Sequence, residues 1–530
     1  MKEVEVIVLL LFSIAFIASI SSRYKIPLPI FLVIAGLLIS IIPGIHVITL
    51  NSEIIFPLFL PPLLYYTAWN ISWCTFKLHI RTILLASISL VFFTVFAIGS
   101  FIHFLIPALG WPIAILLGAI LSPPDAVAAT SLTKGLGLQP RLLTILEGES
   151  LLNDASALVA FKYALDVIIA DSFSISDVAS DFALVFLGGI GVGFIIGYLL
   201  SVLQTRFVRD SIISVSLMLV TPFASYLLAE RLHLSGILAV VTTGLYLSFR
   251  SDKILTNESR IKGYAVWEVT VFILNSLVFI LIGLQLKPIL KEFSIAYTLQ
   301  LLLYSFLIVL AGLAVRFIWT VPNTLLPRMW SKKIRTEEPF DRRNILVFTW
   351  AGMKGIVSMT IALSLPAKLP NHQPFPFHYE IIFLTFFVIL FSLILQGLTL
   401  PLVVKKLKMP VYSPSAEEYE VRSYLLQEME KHINLTDINV PEEARIQLHQ
   451  KYKVKQNRIQ STRVPDTTEQ NASVTVFNQF TRIELEMLVR ERELTYRLRK
   501  QGKVTEEILH KIEREIDFEE ARIRLELFQQ

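Results

Sequence analysis

The sequence predicts an all-α polytopic membrane protein of about thirteen transmembrane helices in two inverted repeats with crossed broken helices, followed by a C-terminal helical cytoplasmic domain. Three observations predict it. The 530 residues are 54% hydrophobic and 17% charged, whereas soluble chains carry roughly 25% charged residues. The charge is uneven, because 41 of the 91 Asp, Glu, Lys and Arg residues lie in residues 411–530. Apolar runs long enough to span a bilayer recur through the first 410 residues, and the loops between them alternate in charge. An embedded part, residues 1–410, therefore precedes a water-soluble helical tail, residues 411–530.

The same numbers exclude collagen-like, disordered and disulfide-scaffold chains. Cys74 stands alone and can form neither an internal disulfide nor a thiolate metal site. The tail carries 19 basic and 22 acidic residues, which gives no support to nucleic acid binding. With no catalytic serine motif, zinc pair or phosphate loop in view, an enzyme is not expected, and no cofactor is called for.

Taken in order, the first run, residues 4–22, begins among Glu3 and Glu5 without a basic leader, and reads as a retained span. Further runs follow at 26–43, 51–69 and 81–106. The fifth, 111–133, is interrupted by SPPDAVAAT, residues 122–130. Proline removes a backbone donor and clashes with the preceding turn, so Pro123 and Pro124 free carbonyls beside the charge of Asp125. Secondary transporters place ion sites at such breaks near the midplane. A plain proline kink with Asp125 as a helix cap is the alternative.

The sixth run, 142–169, contains ILEGESLLNDASALVAF, with Glu147, Glu149, Asn153 and Asp154 inside an apolar span. On a helix Glu149 and Asn153 share one face, Ser150 and Asp154 share the adjoining one, and Glu147 lies in the sector of Asp154. Asp154 lies thirteen residues beyond Arg141, roughly 20 Å along the axis and near the midplane. Three carboxylates in one membrane helix are costly enough to imply a function. Lys162 and Asp166, one turn apart, are expected to pair.

Runs at 178–204, 211–230, 235–250, 266–286 and 295–321 come next. Arg316, the lone charge of the eleventh, is read as interfacial, as is Glu268 at the start of the tenth. The twelfth run, 344–366, holds Lys354 between Gly352 and Gly355, which weaken the helix. Lys354 could neutralise one of the acids, or it could snorkel to the nearby basic loop. The thirteenth run is 379–404. Placing the N-terminus outside puts most loop Lys and Arg residues on one side and the tail in the cytoplasm. Runs five and twelve, both interrupted, are seven places apart and opposite in direction, as inverted repeats require. That arrangement favours an alternating-access carrier over a channel.

In the tail, residues 480–500 and 505–527 form two amphipathic stretches around Gly502, after a loop near residues 461–473. Thr505 is placed to cap the second, whose apolar positions include Ile508, Ile512, Ile516 and Ile523. A helical hairpin or coiled coil and a solvated appendage both fit.

Four motifs in order resemble the monovalent cation:proton antiporter-1 family, the sodium/proton exchangers, especially its bacterial branch. They are FLPPLLYYTAW (59–69), LSPPDAVAAT (121–130), EGESLLNDASALV (147–159) and WAGMKGIVSM (350–359). The resemblance implies a homodimer with a dimerisation domain and a mobile six-helix ion-translocation domain in a bacterial inner membrane. It implies that Asp154, beside Asn153, binds either the cation or the proton. Ser150 and the backbone around Pro124 would help ligate a sodium ion, while Asp125, Glu147, Glu149 and Thr130 would support the network. Family members typically carry arginine where this chain has Lys354. Competition of a sodium ion and a proton for Asp154 yields electroneutral exchange, whereas a lysine that released its proton would make transport electrogenic. Potassium in place of sodium is the alternative, with a non-transporting sensor or scaffold, or a channel, as further ones.

Overall fold

A computed structural model describes residues 2–24, 28–41, 52–71, 73–125, 138, 140–170, 175–330, 342–366, 368–369 and 372–409, and in the tail residues 421, 423–429, 431, 446, 449–450, 483–495, 497, 512 and 515–523. The chain divides into two compact units, Met1–Tyr412 and Ser413–Gln530.

Among the described residues, each predicted apolar run of the first unit overlaps a helix or a pair of helices. The first six helices are α1 (Lys2–Tyr24), α2 (Leu28–Ile41), α3 (Ser52–Asn70), α4 (Trp73–Leu84), α5 (Leu90–Leu105) and α6 (Gly110–Ile120). They are followed by α7 (Pro140–Ala170), α8 (Ile175–Phe207), α9 (Ser211–Arg231), α10 (Gly236–Ile254), α11 (Asn257–Lys291) and α12 (Ile295–Trp330). The last four are α13 (Arg342–Trp350), α14 (Ile356–Leu363), α15 (His378–Ser392) and α16 (Leu398–Lys406). One π turn, Leu85–Ser89, joins α4 to α5, and another, Leu393–Gly397, joins α15 to α16. Six stretches of these helices, in α4–α5, α8, α9, α11, α12 and α15–α16, are long and apolar enough to cross a membrane by length and composition.

Local sequence accounts for the helix ends. Asp210 caps α9 by accepting from the backbone N–H groups of Ile212 and Ile213, and Ser235 caps α10 through the N–H of Leu238. Small residues set the helix spacing. At the α2–α11 crossing a methyl group on Gly36 would lie 2.2 Å from the Ile280 carbonyl, and one on Gly283 would lie 2.2 Å from that of Val33. Helices in lipid gain contact by such close approach, since burial drives them little. Tyr65, Leu116, Leu117 and Phe383 fill the interior, while Phe12, Phe96, Leu187 and Ile295 remain exposed as a hydrocarbon solvent permits.

Three expectations change. The fifth run is helical to Ile120, and residues 122–125, which hold the two prolines, are not helical. The twelfth run is two helices, α13 and α14, separated by residues 351–355. Lys162 faces Glu230 of α9 at 3.5 Å rather than Asp166; a neighbouring helix offers an acid that the predicted i,i+4 partner does not outcompete.

In the second unit, Leu488 packs with Ile516 and Ile523, flanked by Leu485 and Ile512. Arg492 reaches Asp517 at 2.5 Å and Glu520 at 2.8 Å. The two amphipathic stretches thus bury their apolar faces against each other. The predicted cap Thr505, Ile508, Gly502 and the loop at 461–473 lie outside the described residues.

Candidate functional site

The two interruptions meet. The backbone N–H of Asp125, just after Pro123 and Pro124, donates to the Met353 carbonyl in the break between α13 and α14 at 2.7 Å. Prolines in one break and glycines in the other leave backbone groups free of helical partners, and these two find each other. Against this crossing runs α7, which carries the predicted polar wall. Glu149, Asn153 and Asp154 are buried, at 1%, 0% and 3% exposure.

Each of these side chains has a distinct environment. Ser150 donates its hydroxyl to the Pro124 carbonyl at 3.1 Å, which ties α7 to the first break. Asn153 donates Nδ2 to Glu149 Oε1 at 3.1 Å, and its Oδ1 is buried without a hydrogen-bond partner. Asp154 Oδ1 is buried and has no hydrogen-bond partner among the described residues. That oxygen belongs to a residue lining a cavity of about 50 Å³, together with Pro124, Asp125 and Ser150. An unpaired carboxylate oxygen buried at this depth is costly unless something charged or protic occupies the space beside it.

Glu149 does not face that cavity, because it is held by an arginine. Arg316 of α12 donates Nη1 to Oε1 at 2.7 Å and Nη2 to Oε2 at 2.6 Å. Its Nε donates to the Phe348 carbonyl at 3.1 Å, and its guanidinium lies 4.5 Å from the Phe348 ring centre. The planar fork thereby satisfies both oxygens of a buried carboxylate. This corrects one expectation, because Arg316 is buried, at 7% exposure, rather than interfacial. Of the acids left open as partners for Lys354, Glu149 is paired with Arg316. The predicted span ended at residue 321, close to Arg316, but α12 continues to Trp330. Its position as the lone charge in an apolar run was the signal available in the sequence.

Lys354 lies on the other side of the crossing. Its Nζ donates to the Ser122 carbonyl at 2.9 Å, and its backbone N–H donates to Ser392 Oγ at 2.9 Å. Ser392 in turn donates to Gln396. Lys354, Asn153, Arg316, Ser392 and Gln396 line a second cavity of about 30 Å³, with Pro124 forming part of both walls. Among the described residues Lys354 makes no ion pair.

The flanking glycines do more than weaken a helix. A methyl group on Gly352 would lie 2.6 Å from Nε of Arg316, and one on Gly355 would lie 1.9 Å from Oδ2 of Asp125. Each glycine vacates the space that a charged side chain occupies. Gly355 is also the N-cap of α14 and has no side chain to offer that helix's first N–H groups. The carboxylate of Asp125 beside it supplies negative charge at the positive end of the helix dipole.

Asp154, Ser150, Pro124 and Asp125 therefore share one cavity, Asn153 and Lys354 share the other, and Glu149 holds two residues of the second, Arg316 and Asn153. Glu147 is half-buried and lines neither cavity. Thr130 lies outside the described residues.

A family model described as "Sodium/hydrogen exchanger, transmembrane" matches residues 8–406. The chain belongs to the sodium/hydrogen exchanger family. The chain is similar to a sodium, potassium, lithium and rubidium/H(+) antiporter of Bacillus pumilus, with 35% identity over 76% of the chain, and it spans 62% of that relative's length. It is 34% identical to the Na(+)/H(+) antiporter ApNhaP of Aphanothece halophytica over 74% of this chain and 72% of that one. A Na(+)/H(+) exchanger of Escherichia coli, itself uncharacterised, matches at 30% identity over 94% of both chains, the tail included. The sodium proton antiporter MjNhaP1 of Methanocaldococcus jannaschii has the same fold, with a TM-score of 0.61, 20% identity and coverage of 77% of this chain and 100% of its own. The exchanger is thus an all-α membrane protein of a transporter family.

Proposed function

We propose that the protein exchanges sodium ions for protons across the membrane by alternating access, with Asp154 as the group for which the two compete. The observation that carries this reading is the buried, unpartnered Oδ1 of Asp154 on a cavity that also receives Ser150, Pro124 and Asp125. A proton or a sodium ion would each satisfy that oxygen, so only one can be bound at a time. Ser150 Oγ and the Pro124 carbonyl supply neutral oxygen, the ligand type that hard cations prefer. Glu149 is already neutralised by Arg316, which leaves Asp154 to respond to the ion. The family and the relatives named as Na(+)/H(+) antiporters support the same reading.

The finer expectations belong to this proposal: a homodimer in a bacterial inner membrane, the N-terminus outside and the tail cytoplasmic, residues 1–410 carrying exchange and residues 411–530 forming a helical appendage. Potassium is a second reading, supported by the B. pumilus relative whose name includes potassium. In everted vesicles, Asp154→Asn is expected to abolish sodium-dependent proton movement. Exchange persisting in that variant overturns the assignment of Asp154. Dequenching with sodium and potassium in parallel separates the two readings of the cargo.

A further inference from the structure

The cavity at Asp154 has a second wall that the polar stretch of α7 does not supply. Three of its lining residues are polar and come from other helices: Thr67 of α3, Asn275 of α11 and Ser358 of α14. Ser358 is buried, at 1% exposure, and its Oγ has no hydrogen-bond partner. Two residues on the same small cavity, Asp154 and Ser358, thus each hold a buried oxygen without a partner. Unsatisfied buried hydroxyls are rare in folded proteins and call for an occupant. The sequence places this hydroxyl three residues past Gly355, one turn into α14 and on the same side of the helix. Gly355 is where Asp125 packs, so the crossing aligns the serine with the carboxylates.

We infer that Ser358 and Asn275 are cation ligands of this exchanger and that they set its preference among monovalent cations. The inference rests on Asp154 being the exchange site. A carboxylate and a carbonyl attract any alkali cation, and they distinguish ions poorly by charge alone. Discrimination comes from how many neutral oxygens reach the ion and how closely. Ser358 contributes a hydroxyl and Asn275 a carbonyl oxygen, from helices other than the one that bears Asp154. Thr67 has already committed its proton to the Leu63 carbonyl at 3.0 Å, which leaves its oxygen lone pairs available behind them. The ion would be gripped between α7 and the crossing on one side and α3 with α11 on the other. Small ions need that grip to be tight, and large ions tolerate a looser one.

Proton-coupled uptake in proteoliposomes, read with sodium, lithium, potassium and rubidium, tests this. Ser358→Ala and Asn275→Ala are expected to raise the apparent KM for sodium about tenfold and to shift the sodium-to-potassium KM ratio. Ser358→Thr, which keeps the hydroxyl, is expected to restore the ratio. A purely structural role would lower the amount of active protein and leave the ratio unchanged. As a readout independent of transport, the purified full chain is expected to lose sodium-induced thermal stabilisation in Ser358→Ala. Unchanged KM values and an unchanged ratio in both alanine variants, with Asp154→Asn inactive, overturn the inference while sparing the exchange site. An active Asp154→Asn overturns the exchange site itself. Should Ser358→Ala fail to assemble, Asn275→Ala alone decides by the same ratio.

Discussion

At the scale of single residues, the site separates charges that are fixed from a charge that can respond. Arg316 and Glu149 hold each other through two short hydrogen bonds in the interior, so neither is free to follow the ion. Removing one partner of a buried pair strands the other. Arg316→Ala is therefore expected to destabilise the protein by about 3–5 kcal/mol, seen as a lower unfolding temperature in detergent. Arg316→Lys should recover little of this, because an ammonium cannot reproduce the two-pronged contact. Gly352→Ala should mimic the loss in part, since the added methyl meets the guanidinium at 2.6 Å. Wild-type stability in Arg316→Ala would mean that the pair contributes nothing. Lys354 was visible in the sequence as a charge between two glycines, but that it makes no ion pair among the described residues was not. That depends on which helix reaches Glu149 first, and the winner is 167 positions away.

At the scale of elements, helix contacts in this protein depend on small residues at crossings. The α2–α11 crossing brings backbone against backbone at Gly36 and Gly283. A leucine at either position must push the helices apart, with an expected cost of about 1–3 kcal/mol or more. Gly191 of α8 has open space around its Cα, so Gly191→Leu is the matched control and should leave the unfolding temperature unchanged. Leucine is the better helix former, so equal losses at Gly191 and Gly283 would show that the close approach at the crossing is not what governs these positions. Sequence reading placed apolar runs where the described helices lie because hydropathy is summed over about 20 residues and tolerates local error. It could not place the end of α6 at Ile120, because two prolines mark a break without saying on which side the helix stops.

At the scale of the whole molecule, the charge of the transported state decides whether exchange responds to voltage. On the proposed exchange at Asp154, with Glu149 paired to Arg316, one proton traded for one sodium ion makes a neutral cycle. Sodium-dependent proton flux in proteoliposomes is therefore expected to be the same with and without an imposed potential. Acceleration by an inside-negative potential would show that more than one proton moves per cation, and Lys354, without an ion pair among the described residues, would be the residue to replace first. The division of the chain at Tyr412 and Ser413 carries a second expectation. A chain ending at residue 412 keeps the region matched by the family model and should retain exchange, with any change confined to its rate or pH response. Complete loss of exchange in a folded truncation would assign the tail an essential part.

The sequence by itself determined the all-helical membrane class, the two interrupted helices and the carboxylate stretch around Asp154. Each is written in local composition: apolar length, proline pairs, and charges where lipid makes them costly. Only the tertiary structure decided the partners. It joined Arg316 to Glu149, set Lys354 on a separate cavity, and brought Thr67, Asn275 and Ser358 to the cavity that Asp154 lines. The physical reason is that a hydroxyl or an amide is inexpensive within a helix and leaves no mark in hydropathy, while its function depends on which distant helix it faces.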